Sequence, residues 1–203
     1  MEPGNKSLIR QFPKVGSRLA AIVLNHSHLE IELVALPQNY SLASREVDIA
    51  ITLDMPATGN IATRRLTDYG LGFFATQRYL DEMGSPATVE ELRDHSLCGY
   101  IPELLHTKEL NYLDLLQLTP RLRTTSIVAQ REVIEASQAV GVLPFFMTVG
   151  RVDLKPVLQE RFSINRSYWL SIHEDLRYLT RIRSVSDALV ARVRSESGLF
   201  LKI

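Results

Sequence analysis

The sequence predicts an α/β protein whose strands form doubly wound sheets. Two stretches alternate apolar and polar residues with the two-residue period of a β-strand, one from Leu29 to Leu33 and one from Val47 to Leu53. An amphipathic helical stretch, Ser17 to Asn25, precedes both. The order helix, strand, connection, strand is typical of one end of a doubly wound sheet, and such sheets bind ligands at the carboxyl ends of their strands.

The composition indicates a globular protein with no bias toward nucleic acid or membranes. Hydrophobic residues make up 45% of the 203 residues and charged residues 23%, which is ordinary for a soluble domain or two small lobes. Lys+Arg and Asp+Glu both total 23, so the formal net charge is zero and gives no electrostatic reason to bind DNA. No apolar run approaches the roughly 18 residues of a membrane span, and the first residues lack a signal-type segment. We therefore expect a cytoplasmic protein with no membrane partner.

The first part of the chain supplies the start of one lobe. A strand is expected near Ser7 to Phe12, and Ser17 is a plausible N-cap for the helix that follows. The ligand-binding crevice is expected where the two alternating strands end, at Pro37 to Tyr40 and at Thr52 to Asp54.

The middle of the chain alternates strands and helices again. The apolar run Gly70 to Gln77 suits a strand buried on both faces. A short helix is expected over Gln77 to Met83, closed by Gly84, and Thr88 with Glu91 has the spacing of a capping box. Leu97 to Ile101 forms another short apolar run, and its end is a second crevice candidate.

A second helix start carries the clearest polar cluster. Glu103 to Leu118 is helical or irregular, and Arg121 to Thr125 alternates enough to be a strand. Thr124, Thr125 and Ser126 precede an amphipathic helix, with Ser126 as the expected cap and with Ile127, Val128, Val133, Ile134 and Ala139 on its apolar side. Free N–H groups at such a start attract a carboxylate or another anion.

The remaining elements complete two lobes. Strands are expected at Val140 to Phe145, at Leu154 to Leu158 and at Tyr168 to Ile172, and a final helix from Thr180 buries Ile182, Val185, Leu189 and Val193. One lobe then comprises residues 1–75 and 173–203, and the other residues 76–172. Interleaved lobes of this kind predict a cleft between them.

Four strings of this sequence coincide in order with one known family: REVDIAIT, RRLTDYGLGFFATQRYLDEMGSPATVEELRDHSLCGY, GVLPFFM and YWLSIHEDLR. Together they resemble the effector-binding domain of LysR-type bacterial transcriptional regulators. The resemblance implies a periplasmic-binding-protein-like fold of type II, with two Rossmann-like lobes and a small-molecule effector in the inter-lobe cleft. It also implies a homodimer or tetramer, and DNA binding through an N-terminal winged helix-turn-helix domain that this chain does not contain.

The resemblance carries effector contacts over by position. In the first lobe they fall on Ser17, Pro37, Gln38 and Thr52. In the second lobe they fall on Tyr100, Ile101, Thr124, Thr125, Ser126, Pro144 and Phe145. The chain departs from the family at Met1 to Lys14, which lack the usual alternating run, and before Gly141, where the family has a longer glycine-containing turn.

Several of these residues also have a purely structural interpretation. Ser126 and its neighbours are often only a helix cap, and Phe145 with Phe146 suits core packing as well as a cleft wall. The single cysteine, Cys98, is expected to be a buried structural thiol, and the five histidines show no metal-ligand spacing. Arg64 with Arg65, and the group Arg177, Arg181 and Arg183, are interpreted as solvated surface rather than phosphate contacts.

The leading hypothesis is therefore a sensor of a small polar or carboxylated metabolite in a transcription regulator, with no cofactor, no metal and no catalysis. Two alternatives stay open. A solute-binding protein of transport shares the two-lobed fold, although the sequence lacks a secretion signal. A hydrolase with Cys98 as nucleophile is the other.

Overall fold

A computed structural model describes residues 5–9, 19–20, 23–24, 30–34, 47–55, 60–105 and 107–201. The chain divides into two compact units, one made of Met1–Asp68 with Arg166–Gly198 and the other of Tyr69–Asn165 with Leu199–Ile203. The lobes predicted from the sequence are 1–75 with 173–203 and 76–172. Each of the two predicted boundaries between them lies seven residues further along the chain than the boundary in the structure. Both sets of boundaries fall within the same two strands.

Nine strands and five α-helices lie in the described ranges. The strands are β1 (Asn5–Ile9), β2 (Ile31–Val34), β3 (Ile49–Thr52), β4 (Ile61–Thr76), β5 (Leu97–Tyr100), β6 (Leu122–Thr124), β7 (Val140–Pro144), β8 (Leu154–Val157) and β9 (Ile164–His173). The helices are α1 (Gln77–Met83), α2 (Tyr112–Leu115), α3 (Ile127–Glu135), α4 (Thr180–Ser195) and α5 (Gly198–Leu201). Short 3-10 turns connect several of them.

The first unit contains a sheet with the strand order β2-β1-β3-β9-β4. β1 runs parallel to β2 and β3, and β9 runs antiparallel to β3. The two alternating strands predicted from the sequence are therefore confirmed as neighbours of β1. The strand predicted near Ser7 to Phe12 begins earlier, since β1 occupies Asn5–Ile9.

Helix α4 closes the first unit with the apolar face that its sequence predicts. Ile182, Val185, Leu189 and Val193 are each at most 1% exposed. Their spacing of three and four residues places them on one side of the helix, which buries them together. Across the described ranges, no helix combines the length and the apolar character needed to cross a bilayer.

The second unit is built on a sheet with the order β4-β7-β5-β6, in which β4 contributes its second half. β7 and β8 pair antiparallel with β4, and β5 runs parallel to both β6 and β7. The prediction for α1 is confirmed at both ends. Thr76 Oγ1 accepts a hydrogen bond from the Tyr79 N–H at 3.2 Å, and Gly84 ends the helix with a φ of 85°.

Three sequence expectations require correction. α3 ends at Glu135, so Ala139 is not part of it, and Val128 is 45% exposed rather than buried. Thr88 accepts a hydrogen bond from the Glu91 N–H, but the segment is a 3-10 turn of four residues, Glu91–Asp94. β4 begins at Ile61, nine residues before the apolar run that predicted it.

The turn between α3 and β7 is short, and its residues 136–139 include no glycine. The N–H groups of Ser137 and Gln138 donate to the carbonyls of Ile134 and Val133, which is the Schellman pattern. Ser137 occupies the left-handed position with a φ of 58°, where glycine is usual. A hydrogen bond of 2.6 Å joins its hydroxyl to that of Thr76, the cap of α1. This bond offsets the strain of the turn.

We expect Ser137→Ala to lower the free energy of unfolding by about 1–2 kcal/mol, because the hydroxyl bond is lost while the strained φ remains. Ser137→Gly loses the same bond but relieves the strain, so we expect a change within about 0.5 kcal/mol. Urea unfolding of the three proteins measures both values. Equal destabilisation by the two substitutions would contradict this account of the turn.

Candidate functional site

The carboxyl ends of three parallel strands meet at one edge of the second unit. Tyr100 at the end of β5 is the register partner of Thr124 at the end of β6, and β7 ends at Pro144 on the other side of β5. Parallel strands present their carboxyl ends to the same edge, where ligands of α/β proteins bind. Ile101 and Thr125 directly follow β5 and β6 at this edge.

The start of α3 lies beside these strand ends because it follows β6 after two residues. The Ser126 hydroxyl accepts a hydrogen bond from the Ala129 N–H at 3.3 Å, which confirms Ser126 as the N-cap. The Ser126 N–H in turn donates to Thr124 Oγ1 at 3.1 Å. Thr125 and Ser126 are exposed. The first turn of α3 therefore offers positive dipole and hydroxyl groups to the solvent at this edge.

Close packing holds α3 in this position. The helix packs on β5, β6 and β7 through Ile127 and Ile134, which are 4% and 0% exposed. A Cβ atom on Gly141 of β7 would lie 2.8 Å from Ile134 Cδ1 and 3.2 Å from the Cys98 carbonyl oxygen. Glycine at position 141 thus allows the helix to sit directly on the strand.

Gln130 is a candidate site residue that the sequence analysis missed. It is 1% exposed, and its amide nitrogen has no hydrogen-bond partner among the described residues. Helical side chains lean toward the helix N-terminus, so we expect the amide to lie over the turn that begins at Ser126. The available signal was its place in the apolar stripe, three residues after Ile127 and four before Ile134. An amide nitrogen that is buried without a protein partner lowers stability by about 1–3 kcal/mol, so its N–H groups remain available as donors.

Phe145 is placed as a packing residue. It is 8% exposed, and a Cβ on Gly70 of β4 would overlap its ring. A Cβ on Gly72 would lie 3.1 Å from the same ring, and the Phe74 ring contacts it edge-on at a centroid distance of 6.2 Å. The two glycines therefore leave the room that the Phe145 ring occupies, in line with the core-packing alternative.

The predicted contacts in the first unit are only partly described. Thr52 ends β3 opposite Trp169 of β9, and its hydroxyl donates to the Asp54 carbonyl at 2.7 Å. Ser17, Pro37 and Gln38 lie outside the described residues. Within the described ranges, no three His, Cys, Asp or Glu side chains cluster as metal ligands.

Cys98 lies in β5 with 0% of its surface exposed. Burial raises the pKa of its thiol from 9.0 to about 11, because desolvation disfavours the thiolate. A nucleophilic cysteine needs the opposite shift. The local environment therefore argues against the hydrolase alternative.

The chain belongs to the LysR substrate binding domain family, whose model matches residues 14–194. The Mau operon transcriptional activator of Paracoccus denitrificans is 27% identical over 163 residues, covering 78% of this chain and 53% of that protein. The chain spans about half the length of the curated relatives it matches.

Solved structures agree on the fold. The regulatory domain of CrgA from Neisseria meningitidis superposes with a TM-score of 0.80 at 22% identity, covering 94% of this chain and 99% of that one. The regulatory domain of CcmR from Synechocystis, solved in complex with 2-PG, gives 0.73 at 16% identity with coverages of 93% and 96%. The predicted fold class, α/β of the type II periplasmic-binding-protein-like kind, is confirmed.

We expect Gly70→Ala to lower the free energy of unfolding by about 1–3 kcal/mol, because the new methyl group overlaps the Phe145 ring. Phe145→Leu should cost a similar amount through lost packing. In the double variant the smaller side chain makes room for the methyl group, so the combined loss should fall short of the sum by about 1 kcal/mol. Urea unfolding of the four proteins completes the cycle, and strict additivity would contradict the packing role of Phe145.

Cys98 should resist thiol reagents in the folded protein. With a pKa of about 11, roughly one thiol in a thousand is ionised at pH 8, and the side chain is buried. Labelling by Ellman's reagent should therefore be slow, and it should become fast in denaturant. The raised pKa also means that the stability contributed by the neutral thiol is intact below pH 9 and is lost as the pH rises toward 11. Rapid labelling of the native protein would contradict this placement.

Proposed function

We propose that the chain is the effector-sensing domain of a LysR-type transcriptional regulator and that it binds a small polar or carboxylated metabolite. The observation that carries the proposal is the edge of the second unit where β5, β6 and β7 end beside the start of α3. A domain of the same fold, that of CcmR, has been solved with a small molecule bound.

The chemistry of this edge favours an anionic ligand. The N-terminal turn of α3 carries the positive end of the helix dipole, and Thr125 and Ser126 add exposed hydroxyl groups. The buried Gln130 amide supplies a further donor that needs a partner. Among the described residues that we assign to this edge, Tyr100, Ile101, Thr124 and Pro144, none has an acidic side chain to repel a carboxylate.

Regulation would follow if the metabolite's affinity differs between two arrangements of the protein. A metabolite that binds one arrangement of the protein more tightly than another shifts the population toward it. That shift reaches a promoter only through a DNA-binding domain, which we place in the part of the curated relatives that this chain does not span. No catalytic step is needed, and a cytoplasmic location fits such a sensor.

Assembly into a homodimer or tetramer is part of the proposal. Two helical segments each expose a large apolar side chain, Leu24 at 85% and Val128 at 45%. Exposed aliphatic side chains on helices are suited to contacts between subunits. Light scattering after size exclusion would give the mass directly, and a monomer at all concentrations would oppose this part.

A thermal-shift screen of carboxylated metabolites against the full chain tests the proposal. We expect at least one of them to stabilise the protein with a saturable dose response. Gln130→Leu should weaken that ligand about tenfold or more, because a hydrogen bond to a charged group is lost. The unliganded variant should stay as stable as the native chain, since leucine suits the apolar stripe.

Gln159→Leu is the matched control, because Gln159 is exposed and carries the same substitution. It should leave the ligand response within about twofold of the native value. Stabilisation by uncharged apolar compounds alone, or an equal loss in the two variants, would contradict the proposed site.

A further inference from the structure

A second concave space lies wholly within the first unit, on none of the residues proposed for the effector. It has a volume of about 460 Å³ and lies where the first half of β4, the end of β9 and the beginning of α4 come together. Aliphatic side chains from both strands, Ala62, Leu170 and Ile172, line part of it. The volume falls within the range of small-molecule sites, about 300–1,000 Å³.

Three arginines surround this space, although the sequence separates them into two groups. Arg64 comes from β4, Arg177 from the turn before α4, and Arg183 from the first turn of α4. The single carboxylate in the lining, Asp187, pairs with Arg64, and Glu174 outside the lining pairs with Arg177, so the positive charge of Arg183 has no partner among the described residues. The interpretation of both arginine groups as ordinary solvated surface does not account for this convergence.

Two of the arginines are held in place by the protein. A terminal nitrogen of Arg64 donates to the Ser186 carbonyl at 3.1 Å and to Asp187 at 3.4 Å. Arg177 donates to both carboxylate oxygens of Glu174, at 3.1 and 2.8 Å, and to the Tyr178 hydroxyl. Such bonds fix the guanidinium groups before any ligand arrives, which lowers the entropy cost of binding.

The third arginine has its donors available. Arg183 is exposed and makes no side-chain hydrogen bond or ion pair to any residue in the described ranges. A guanidinium group carries five N–H donors in a planar fork that matches a carboxylate or phosphate. The affinity for an anion should therefore depend most on Arg183.

We propose that this cavity binds a small organic anion with an acidic head group and a short apolar body. The head group pairs with Arg183 and with the free donors of Arg64, and the apolar body lies along Ala62 and the accessible part of Ile172. Tyr178, which is 69% exposed, also lines the space. The proposal does not rest on the function proposed above, because it uses different residues.

Isothermal titration calorimetry of the full chain with sodium hexanoate tests the site, with hexanamide and inorganic phosphate as the other probes. Hexanoate should give a saturable heat with one site per chain. Hexanamide, which has the same body without the charge, should bind about tenfold more weakly or not at all. Phosphate tests the head group alone: weaker binding than hexanoate is expected, and equal or tighter binding would remove the role of the aliphatic lining.

Arg183→Glu is the decisive variant, and Arg194→Glu is its matched control. Both residues are exposed on α4 and carry the same change of charge, but they are eleven positions apart, about 16 Å along the helix. Hexanoate affinity should fall at least about tenfold in Arg183→Glu and stay within about twofold in Arg194→Glu. Equal losses would mean attraction by net charge alone, and no saturable binding of hexanoate by the native chain would overturn the proposal.

A second comparison separates this site from the proposed effector site. Gln130→Leu should leave hexanoate binding unchanged, and Arg183→Glu should leave the metabolite response of the thermal screen unchanged. Loss of hexanoate binding in Gln130→Leu would assign the anion to the second unit and overturn the cavity proposal. Circular dichroism and thermal unfolding of each variant establish that it is folded.

Discussion

The contact between Ile134 and Gly141 decides where α3 can lie. A helix side chain rests on the strand at a position that has no room for a Cβ atom. Because α3 is held there, its first turn comes level with the ends of β5, β6 and β7, and the polar groups from Thr124 to Ser126 share one edge with Tyr100 and Pro144. A helix displaced outward by a methyl group would carry its N-terminus and the Gln130 amide away from that edge. The position of these polar groups in the second unit thus depends on the glycine at position 141.

A buried amide inside an apolar stripe conflicts with the packing around it. Natural sequences keep such conflicts at positions where another demand outweighs stability. Gln130 is in that position, since Ile127 and Ile134 on either side are fully compatible with the sheet beneath them. The arginines of the first unit present a similar case, because three cations converge on one space with a single carboxylate among the lining residues. Each feature is easier to understand with a ligand than without one.

Periodicity and end signals predicted much of the fold. α1, β5, β7 and the buried face of α4 follow from local pattern, and each is observed within a residue or two of its expected bounds. The first half of β4 was not predicted because its sequence, ATRRLTD, is polar and has no strict alternation. Its strand character comes from pairing with β9, about a hundred residues later, which no local pattern reveals.

The candidate sites, too, could be predicted from the sequence only where they depend on neighbouring residues. The cap at Ser126 could be predicted, because capping is a property of neighbouring residues. The meeting of Arg64 with Arg177 and Arg183 could not, since it arises from the tertiary fold. The role of Phe145 could be decided only by the glycines of β4, which lie more than seventy residues earlier in the chain.

The last residues of the chain contribute to both units. α4 completes the core of the first unit, and Phe200 of α5 packs its ring against Phe146 in the second, at a centroid distance of 5.3 Å. Contacts between segments so distant in sequence require the closure of long loops, which slows folding. During synthesis, neither unit can therefore reach its final form before residues 180–201 have left the ribosome. Until then the unfinished molecule exposes apolar surface that chaperones would have to shield.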